Sequence, residues 1–160
     1  MGLFSKIFTN GAKDFISPMT GKVVAMENIP DPAFAQKMMG EGCGIDLTDG
    51  TVIAPFDAEV TAAYPTGHAF GLKSKADGTE ILIHVGIDTV DLEGEGFDTN
   101  IKKGDSVKQG DVLVVVDLEI VRQAGKSLVS PIAFTGDEKV EVYKIGQNVT
   151  AGEKGLLNYE

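Results

Sequence analysis

The sequence has one cysteine, Cys43, in 160 residues. A single thiol cannot form an internal disulfide, and it cannot supply the four cysteines of a structural zinc site. Disulfides are typical of oxidising compartments, so their exclusion here favours an intracellular, cytoplasmic protein.

Long hydrophobic runs are also missing, since VLVVV at 112–116 is far too short to cross a bilayer as a helix. The first ten residues, MGLFSKIFTN, contain no long apolar region followed by a cleavage site, and Lys6 stands where a myristoylation motif needs Ser or Thr. We interpret residues 1–15 as a flexible tail. Its apolar residues at helical spacing leave open an amphipathic turn, within residues 1–10, that touches a membrane surface transiently.

Basic residues are few, because 14 Lys and Arg stand against 24 Asp and Glu, giving a net charge of −10 at pH 7. Such a field repels phosphate backbones and attracts basic protein surfaces. Nucleic acid is therefore not an expected partner.

Turn signals are abundant, with 20 glycines and with segments such as TDG, ADG, KKGD and KQGD between brief apolar stretches. This rhythm is typical of an all-β fold. Only residues 30–40, where Asp31 precedes Pro32, and residues 118–126 have helical character. The sequence predicts one all-β domain over residues 16–160 with short helical turns.

Two internal repeats indicate how this domain is built. SPMTGKVVAM at 17–26 is similar to APFDAEVTAA at 54–63, and KKGDSVKQGDVLVVVDL at 102–118 is similar to KIGQNVTAGEKGLLNYE at 144–160. We expect two similar halves packed as an antiparallel β-sandwich or barrel. Biotinyl and lipoyl carrier domains have similar turns, but Lys22 lacks the flanking residues of a modified lysine.

A histidine interrupts an apolar strand pattern in TEILIHVGIDTVDLEGEGF at 79–97. Strict alternation sends Ile81, Ile83 and Val85 to one face and places His84 on the other, beside a glycine. A histidine of the core would belong on the isoleucine face. The pattern therefore favours a functional His84.

The length of the preceding hairpin loop decides whether His84 meets the other histidine, His68. With the dipeptide Asp-Gly as the loop, His84 pairs with Gly71, and His68 faces the opposite side. With a three-residue loop over 76–78, His84 pairs with Phe70, and His68 lies diagonal to His84 on the same face. We interpret the sequence with this odd-length loop.

Two neutral imidazoles on a shallow surface suit the acceptance and release of a phosphoryl group. A histidine near its ordinary pKa of about 6.5 presents a free ring nitrogen at neutral pH. A second ring can donate a hydrogen bond to the phosphoryl oxygens, where charge collects in the transition state.

The segment EILIHVGIDTVDLEGEGF resembles the phosphorylation-site signature of the glucose-type enzyme IIA family of the bacterial phosphoenolpyruvate sugar phosphotransferase system. PTGHAFGL, IPDPAFAQKMMGEGCGIDL and VIAPFDAEV extend the resemblance, which covers roughly residues 16–157. It implies an antiparallel β-sandwich that acts as a phosphoryl carrier of the transferase class without a cofactor. The sugar is left open.

The resemblance also implies roles for individual residues. His84 would take the phosphoryl group through Nε2 from the phosphohistidine of HPr and pass it to a cysteine of a IIB component, while His68 would support onward transfer. Thr66 would orient a histidine ring, although a turn hydroxyl bonded to its own backbone is an equal interpretation. Asp88 would weaken retention of the phosphoryl group, or it would cap a loop.

Partner docking in this family rests on an apolar ring around the histidines. The matching positions here are Phe34, Met39, Phe70, Leu82 and Val90. Methionines at 38 and 39 depart from the usual β-branched residues, and the hairpin loop is one residue longer than usual. The phosphorylation state of this face would also be available to regulatory partners.

A metallopeptidase-like zinc hydrolase is the rival enzyme class. Such enzymes need at least three protein ligands, whereas this chain has two histidines and no His-x-His pair. A regulatory zinc site formed by His68, His84 and a partner's carboxylate is left open by the resemblance.

Overall fold

The structure, a computed structural model, describes residues 12–160. Its strands are β1 (Gly21–Ala25), β2 (Glu41–Leu47), β3 (Thr51–Ile53), β4 (Ala58–Ala63), β5 (Ala69–Ser74), β6 (Glu80–His84), β7 (Phe97–Asp98), β8 (Ser106–Val107), β9 (Val112–Val116), β10 (Val129–Phe134), β11 (Val140–Val142), β12 (Asn148–Val149) and β13 (Leu157–Tyr159). The α-helices are α1 (Pro32–Ala35) and α2 (Leu118–Gln123), and 3₁₀ turns span Met26–Asn28 and Thr89–Leu92. Within the described part of the chain, no helix is long and apolar enough to span a membrane.

The strands form three antiparallel sheets. The largest has eight strands in the order β12-β1-β2-β10-β6-β5-β4-β8, and the others are β3-β9-β7 and β11-β13. One cluster of buried apolar side chains draws on all three sheets, including Ile83 of the first, Val114 of the second and Leu157 of the third. The predicted all-β sandwich is thus confirmed.

The predicted internal repeats occupy equivalent places at the two ends of the largest sheet. β12 pairs with β1, where Gly21 lies opposite Val149, and β8 pairs with β4, where Ala58 lies opposite Val107. These two pairs fall at matching positions of the two repeated segments. The same hydrogen-bonding arrangement is therefore built twice.

The two halves also exchange reciprocal hydrogen bonds where they meet. The amide of Ile16 donates to the carbonyl oxygen of Pro55 at 3.1 Å, and the amide of Ile53 donates to that of Pro18 at 2.9 Å. Proline has no amide hydrogen but keeps its carbonyl acceptor, so it can serve in both places.

Both segments with predicted helical character contain an α-helix. The carboxylate of Asp31 accepts a hydrogen bond from the amide of Ala33 at 2.9 Å, and Pro32 occupies the first turn. The carboxylate of Asp117 caps α2 in the same manner. Side-chain caps of this kind satisfy amides that have no partner inside the helix.

The predicted boundary after residue 15 is wrong. Phe15 is only 3% exposed and packs against the rings of Phe56 and Tyr159 in the main core. The core therefore includes a residue that we assigned to the tail. The predicted amphipathic turn lies within residues 1–10, outside the described residues.

The predicted three-residue hairpin loop is also wrong. The amide of Ser74 donates to the carbonyl oxygen of Thr79 at 2.8 Å, so the β5–β6 loop has four residues. Lys75 leaves the hairpin because its amide donates instead to Asp57, at 2.9 Å. As a result, His84 lies opposite Ala69.

This register places Phe70 opposite Ile83, with both side chains fully buried in the core. We expected Phe70 on the docking face because the three-residue loop would pair it with His84. A shift of one residue moves a side chain to the other face of the sheet. The predicted docking role of Phe70 is therefore contradicted.

Candidate functional site

His84 ends β6 on the face that the alternation predicts. Ile81, Ile83 and Val85 are buried in the core, whereas Leu82 and His84 remain partly exposed. The ring of His84 packs against that of Phe34, with the centroids 5.5 Å apart. The strand thus presents one imidazole at the surface of an apolar patch.

One nitrogen of His84 has a fixed partner. Nδ1 lies 2.7 Å from the carbonyl oxygen of Gly86. Because a carbonyl oxygen only accepts hydrogen bonds, Nδ1 must carry the proton in this contact. In the neutral ring, Nε2 then keeps its lone pair.

His68 lies close to His84, as predicted, but not through the predicted strand pairing. The two ring centroids are 5.3 Å apart and the planes are inclined by 74°. His68 precedes the first residue of β5 and follows Gly67, whose φ is +74°. Strict alternation therefore does not apply to His68, and its ring reaches His84 from outside the regular strand.

Thr66 contacts the ring of His68. The distance between Thr66 Oγ1 and His68 Nδ1 is 2.5 Å. Of the two interpretations of this hydroxyl, the structure shows the contact with a histidine ring. When the hydroxyl donates to Nδ1, the neutral ring of His68 carries its own proton on Nε2.

Burial keeps both imidazoles neutral near pH 7. It lowers the pKa of His68, which is only 3% exposed, and the neighbouring His84 lowers that pKa further. Burial also lowers the pKa of His84. The hydrogen bond to Gly86 and the negative charges of Asp31 and Asp88 oppose that shift.

The two aspartates reach the site from different segments. Asp88 is exposed and has a left-handed backbone with φ of +58°, and its side chain makes no capping hydrogen bond. The structure therefore does not support the interpretation of Asp88 as a capping acid. Sequence reasoning found the capping role of Asp31 but missed its charge effect on His84, because the two are far apart in the chain.

The predicted docking residues differ in exposure. Met39 is 39% exposed and Val90 is 50% exposed, while Leu82 is partly buried. Phe34 is buried beneath the site in a small cluster with residues such as Ile29 and Ile87, so it supports the surface more than it forms it. Sequence reasoning missed Tyr64, an exposed residue whose ring lies 5.0 Å from that of His68.

Among residues 12–160, no group of three or more His, Cys, Asp or Glu side chains is arranged to hold a metal ion. The zinc site with a partner's carboxylate therefore stays a prediction. Cys43 is fully buried, and burial raises the pKa of its thiol to about 12. A thiol in that environment remains protonated and unreactive.

The fold agrees with the comparisons to known proteins. Residues 13–140 match the profile of a family described as phosphoenolpyruvate-dependent sugar phosphotransferase system, EIIA 1. The chain belongs to this family of phosphotransferase-system EIIA components, which confirms the resemblance seen in the sequence.

More particularly, the chain is similar to proteins named PTS system glucose-specific EIIA component. A relative from Bacillus anthracis is 45% identical over 153 residues, which cover 93% of this chain and 92% of the relative. One from Staphylococcus aureus is 46% identical and covers 98% of both chains. The solved structure of glucose permease IIA from Mycoplasma capricolum has a TM-score of 0.84 and 34% identity, with coverage of 95% and 97%.

Proposed function

We propose that this protein is a phosphohistidine carrier that accepts a phosphoryl group on His84 from phosphorylated HPr and passes it to a cysteine of a IIB component. The named relatives point to a glucose system. The observation that carries the proposal is the hydrogen bond from His84 Nδ1 to the carbonyl oxygen of Gly86. It leaves Nε2 as the ring nitrogen with a lone pair.

In the uptake step, Nε2 of His84 attacks the phosphorus atom carried by the donor histidine. A new N–P bond forms, the donor's N–P bond breaks, and its electron pair returns to the donor imidazole. No base is needed, because a neutral imidazole is already a nucleophile. In the release step, a cysteine thiolate of IIB attacks the same phosphorus and the electron pair returns to Nε2.

His68 stabilises the group during transfer. With Thr66 donating to Nδ1, Nε2–H of His68 is free to donate to a phosphoryl oxygen. Donors of this kind are most effective where charge collects in the transition state. This role predicts that loss of His68 impairs release to IIB more than attachment to His84.

The docking surface consists of Met39, Tyr64, Leu82 and Val90 around the histidines. Exposed apolar residues around a reactive group are typical of protein-binding sites. The net charge of −10 favours a donor with a basic face. The donor and the acceptor exchange the phosphoryl group with the same imidazole, so they must dock one after the other. Regulatory partners that read the phosphorylation state would bind the same surface.

The proposal is tested by intact-mass analysis after incubation with phosphoenolpyruvate, enzyme I and HPr. We expect one acid-labile phosphoryl group on the wild type and on His68→Gln, and none on His84→Gln. Omission of HPr is the matched control and should leave the wild type unmodified. Absence of any mass gain on the wild type in the complete mixture would refute the proposal.

A further inference from the structure

Ser130 is a polar residue at a fully buried position of β10. It is 0% exposed, and the residues that follow along the strand, such as Ile132 and Phe134, are buried and apolar. A hydroxyl in such surroundings is unfavourable unless it is hydrogen-bonded. Its two hydrogen bonds therefore indicate what it does.

The hydroxyl of Ser130 connects the histidine loop to its own strand. It accepts a hydrogen bond from the amide of Gly86 at 2.9 Å and donates to the carbonyl oxygen of Leu128 at 2.9 Å. Gly86 is the residue whose carbonyl oxygen accepts from His84 Nδ1. Only one residue thus separates the buried hydroxyl from the nucleophilic ring.

A second hydrogen bond fixes the other side of Gly86. The amide of Ile87 donates to the carbonyl oxygen of Ser127 at 3.1 Å. This amide belongs to the same peptide unit as the Gly86 carbonyl, so its bond sets the direction in which that carbonyl points. Both peptide units that flank Gly86 are therefore held by residues 127–130.

We propose that Ser130 is a positioning residue that holds the Gly86 carbonyl against His84 and thereby keeps the lone pair of the ring on Nε2. The effect on phosphoryl transfer rests on the proposed function, whereas the effect on the tautomer does not. Groups of this kind, which fix the tautomer of a working imidazole through an intermediate group, commonly matter for activity.

The alternative is that Ser130 only stabilises the fold. Removal of its hydroxyl leaves the amide of Gly86 buried without an acceptor, which by itself destabilises a protein. A loss of stability therefore does not distinguish the two roles. The state of the His84 ring does, because a purely structural hydroxyl would leave the tautomer unchanged.

The matched control is Ser17, another fully buried serine that precedes a proline. Its hydroxyl donates to the carbonyl oxygen of Met19 at 2.7 Å and has no hydrogen bond to the histidine loop among the described residues. Ser17→Ala and Ser130→Ala each remove one buried hydroxyl. Only Ser130→Ala should alter the tautomer of the His84 ring.

The first readout is the ¹⁵N NMR spectrum of the histidine rings in the unphosphorylated protein. We expect a protonated Nδ1 in the wild type and in Ser17→Ala, and a mixture of both tautomers in Ser130→Ala. Ser130→Cys keeps a side chain of similar size but offers a weaker hydrogen-bond acceptor. It should therefore change the tautomer populations of His84 in the same direction, but less. This variant carries the test if the alanine variant does not fold.

The second readout is the rate of uptake from phosphorylated HPr as a function of pH. Ser130→Ala should lower the rate about tenfold, the usual lower bound for loss of such a supporting group. The Gly86 hydrogen bond raises the pKa of His84, so its weakening should move the acid limb of the profile to lower pH. The charged or titratable neighbours of His84, namely Asp31, Asp88 and His68, are unchanged in every variant.

The inference would be overturned if a folded Ser130→Ala protein had the histidine ring signals and the uptake rate of the wild type. It would also be overturned if Ser17→Ala changed the ring signals and the uptake rate as much as Ser130→Ala does. If the wild type is not phosphorylated at all, the proposed function fails. The tautomer measurement still decides whether Ser130 positions His84, because it uses the unphosphorylated protein alone.

Discussion

The imidazole of His84 donates from Nδ1 to the carbonyl oxygen of Gly86, two residues further along the chain, over 2.7 Å. The bond is possible because Gly86 turns the chain sharply after β6, with φ of +75°. The turn brings a backbone acceptor beside the ring that the strand has just presented. The proposed nucleophile and the group that orients it therefore come from one short segment.

The first prediction concerns the shape of this turn. A Cβ atom at Gly86 would lie 2.5 Å from Cγ2 of Thr89 and 2.9 Å from the carbonyl oxygen of Ser127. Gly86→Ala must therefore move the loop, and we expect a loss of stability of about 1 to 3 kcal/mol together with a large fall in phosphoryl uptake. Urea unfolding and the phosphorylation assay measure the two effects.

Gly104→Ala is the control for this prediction. Gly104 also has a left-handed backbone, with φ of +94°, but no atom lies within 4 Å of the added methyl group. It should lose about 1 kcal/mol of stability from backbone strain and keep wild-type phosphorylation. Equal activity of the two variants would contradict the prediction.

The second prediction concerns Thr66 and its contact with His68. Thr66→Val removes the hydroxyl but keeps the shape, whereas Thr66→Ser keeps the hydroxyl. We expect the valine variant to release its phosphoryl group to IIB about tenfold more slowly, and the serine variant to retain most of the rate. Rapid-quench measurement of release gives the comparison, and identical rates for both variants would rule out an orienting role.

The third prediction concerns stability between pH 5.5 and pH 7.5. Burial lowers the pKa values of His68 and His84 below the ordinary 6.5, so the unfolded chain binds more protons in this range. The contribution of the two histidines to the free energy of unfolding should therefore be complete above pH 6.5. It should be lost as the pH drops from 6.5 toward the pKa values of the histidines in the folded protein. Urea unfolding at several pH values measures this slope.

The double variant His68→Gln, His84→Gln should lose most of that pH dependence, because the described residues include no other histidine. Carboxylates whose pKa is lowered in the folded protein, such as Asp77 and Glu153, change stability only at pH values well below this range. A wild-type protein that becomes more stable as the pH falls from 7 to 5.5 would contradict the predicted direction of the pH dependence.

The fourth prediction concerns the docking surface. Val90→Asp places a charge on the proposed docking surface, and Val112→Asp places one on β9 of the three-stranded sheet. Both valines are 50% exposed, so the two substitutions cost similar solvation. We expect Val90→Asp to raise the KM for phosphorylated HPr about tenfold or more, since charges are disfavoured at the centre of interfaces, while Val112→Asp leaves it unchanged. A similar KM for both variants would place the docking surface elsewhere.

Much of the site could be predicted from local sequence. The alternation from Ile81 to Val85 is a local property of a strand, and it placed His84 on the correct face. Asp31 could be recognised as a cap because it directly precedes Pro32. The internal repeats predicted two similar halves, and the equivalent registers of β1 with β12 and of β4 with β8 agree with that prediction.

The errors arose where a distant hydrogen bond decides the local structure. Lys75 leaves the hairpin because its amide bonds to Asp57, and no feature of the KSKADGTE segment reveals that partner. The one-residue difference in loop length changes the register, so Phe70 lies in the core and not on the expected docking surface. The links from Ser130 to Gly86 and from Asp31 to His84 are equally nonlocal.

The central claim is that His84 carries the phosphoryl group and that His68 is needed to pass it on. The most direct test follows phosphoryl uptake and release in one rapid-quench experiment, with radiolabelled phosphoenolpyruvate as the source and purified IIB as the acceptor. We expect the wild type to load and discharge, His68→Gln to load but discharge slowly, and His84→Gln never to load. Loading of His84→Gln, or unimpaired discharge from His68→Gln, would contradict this division of roles.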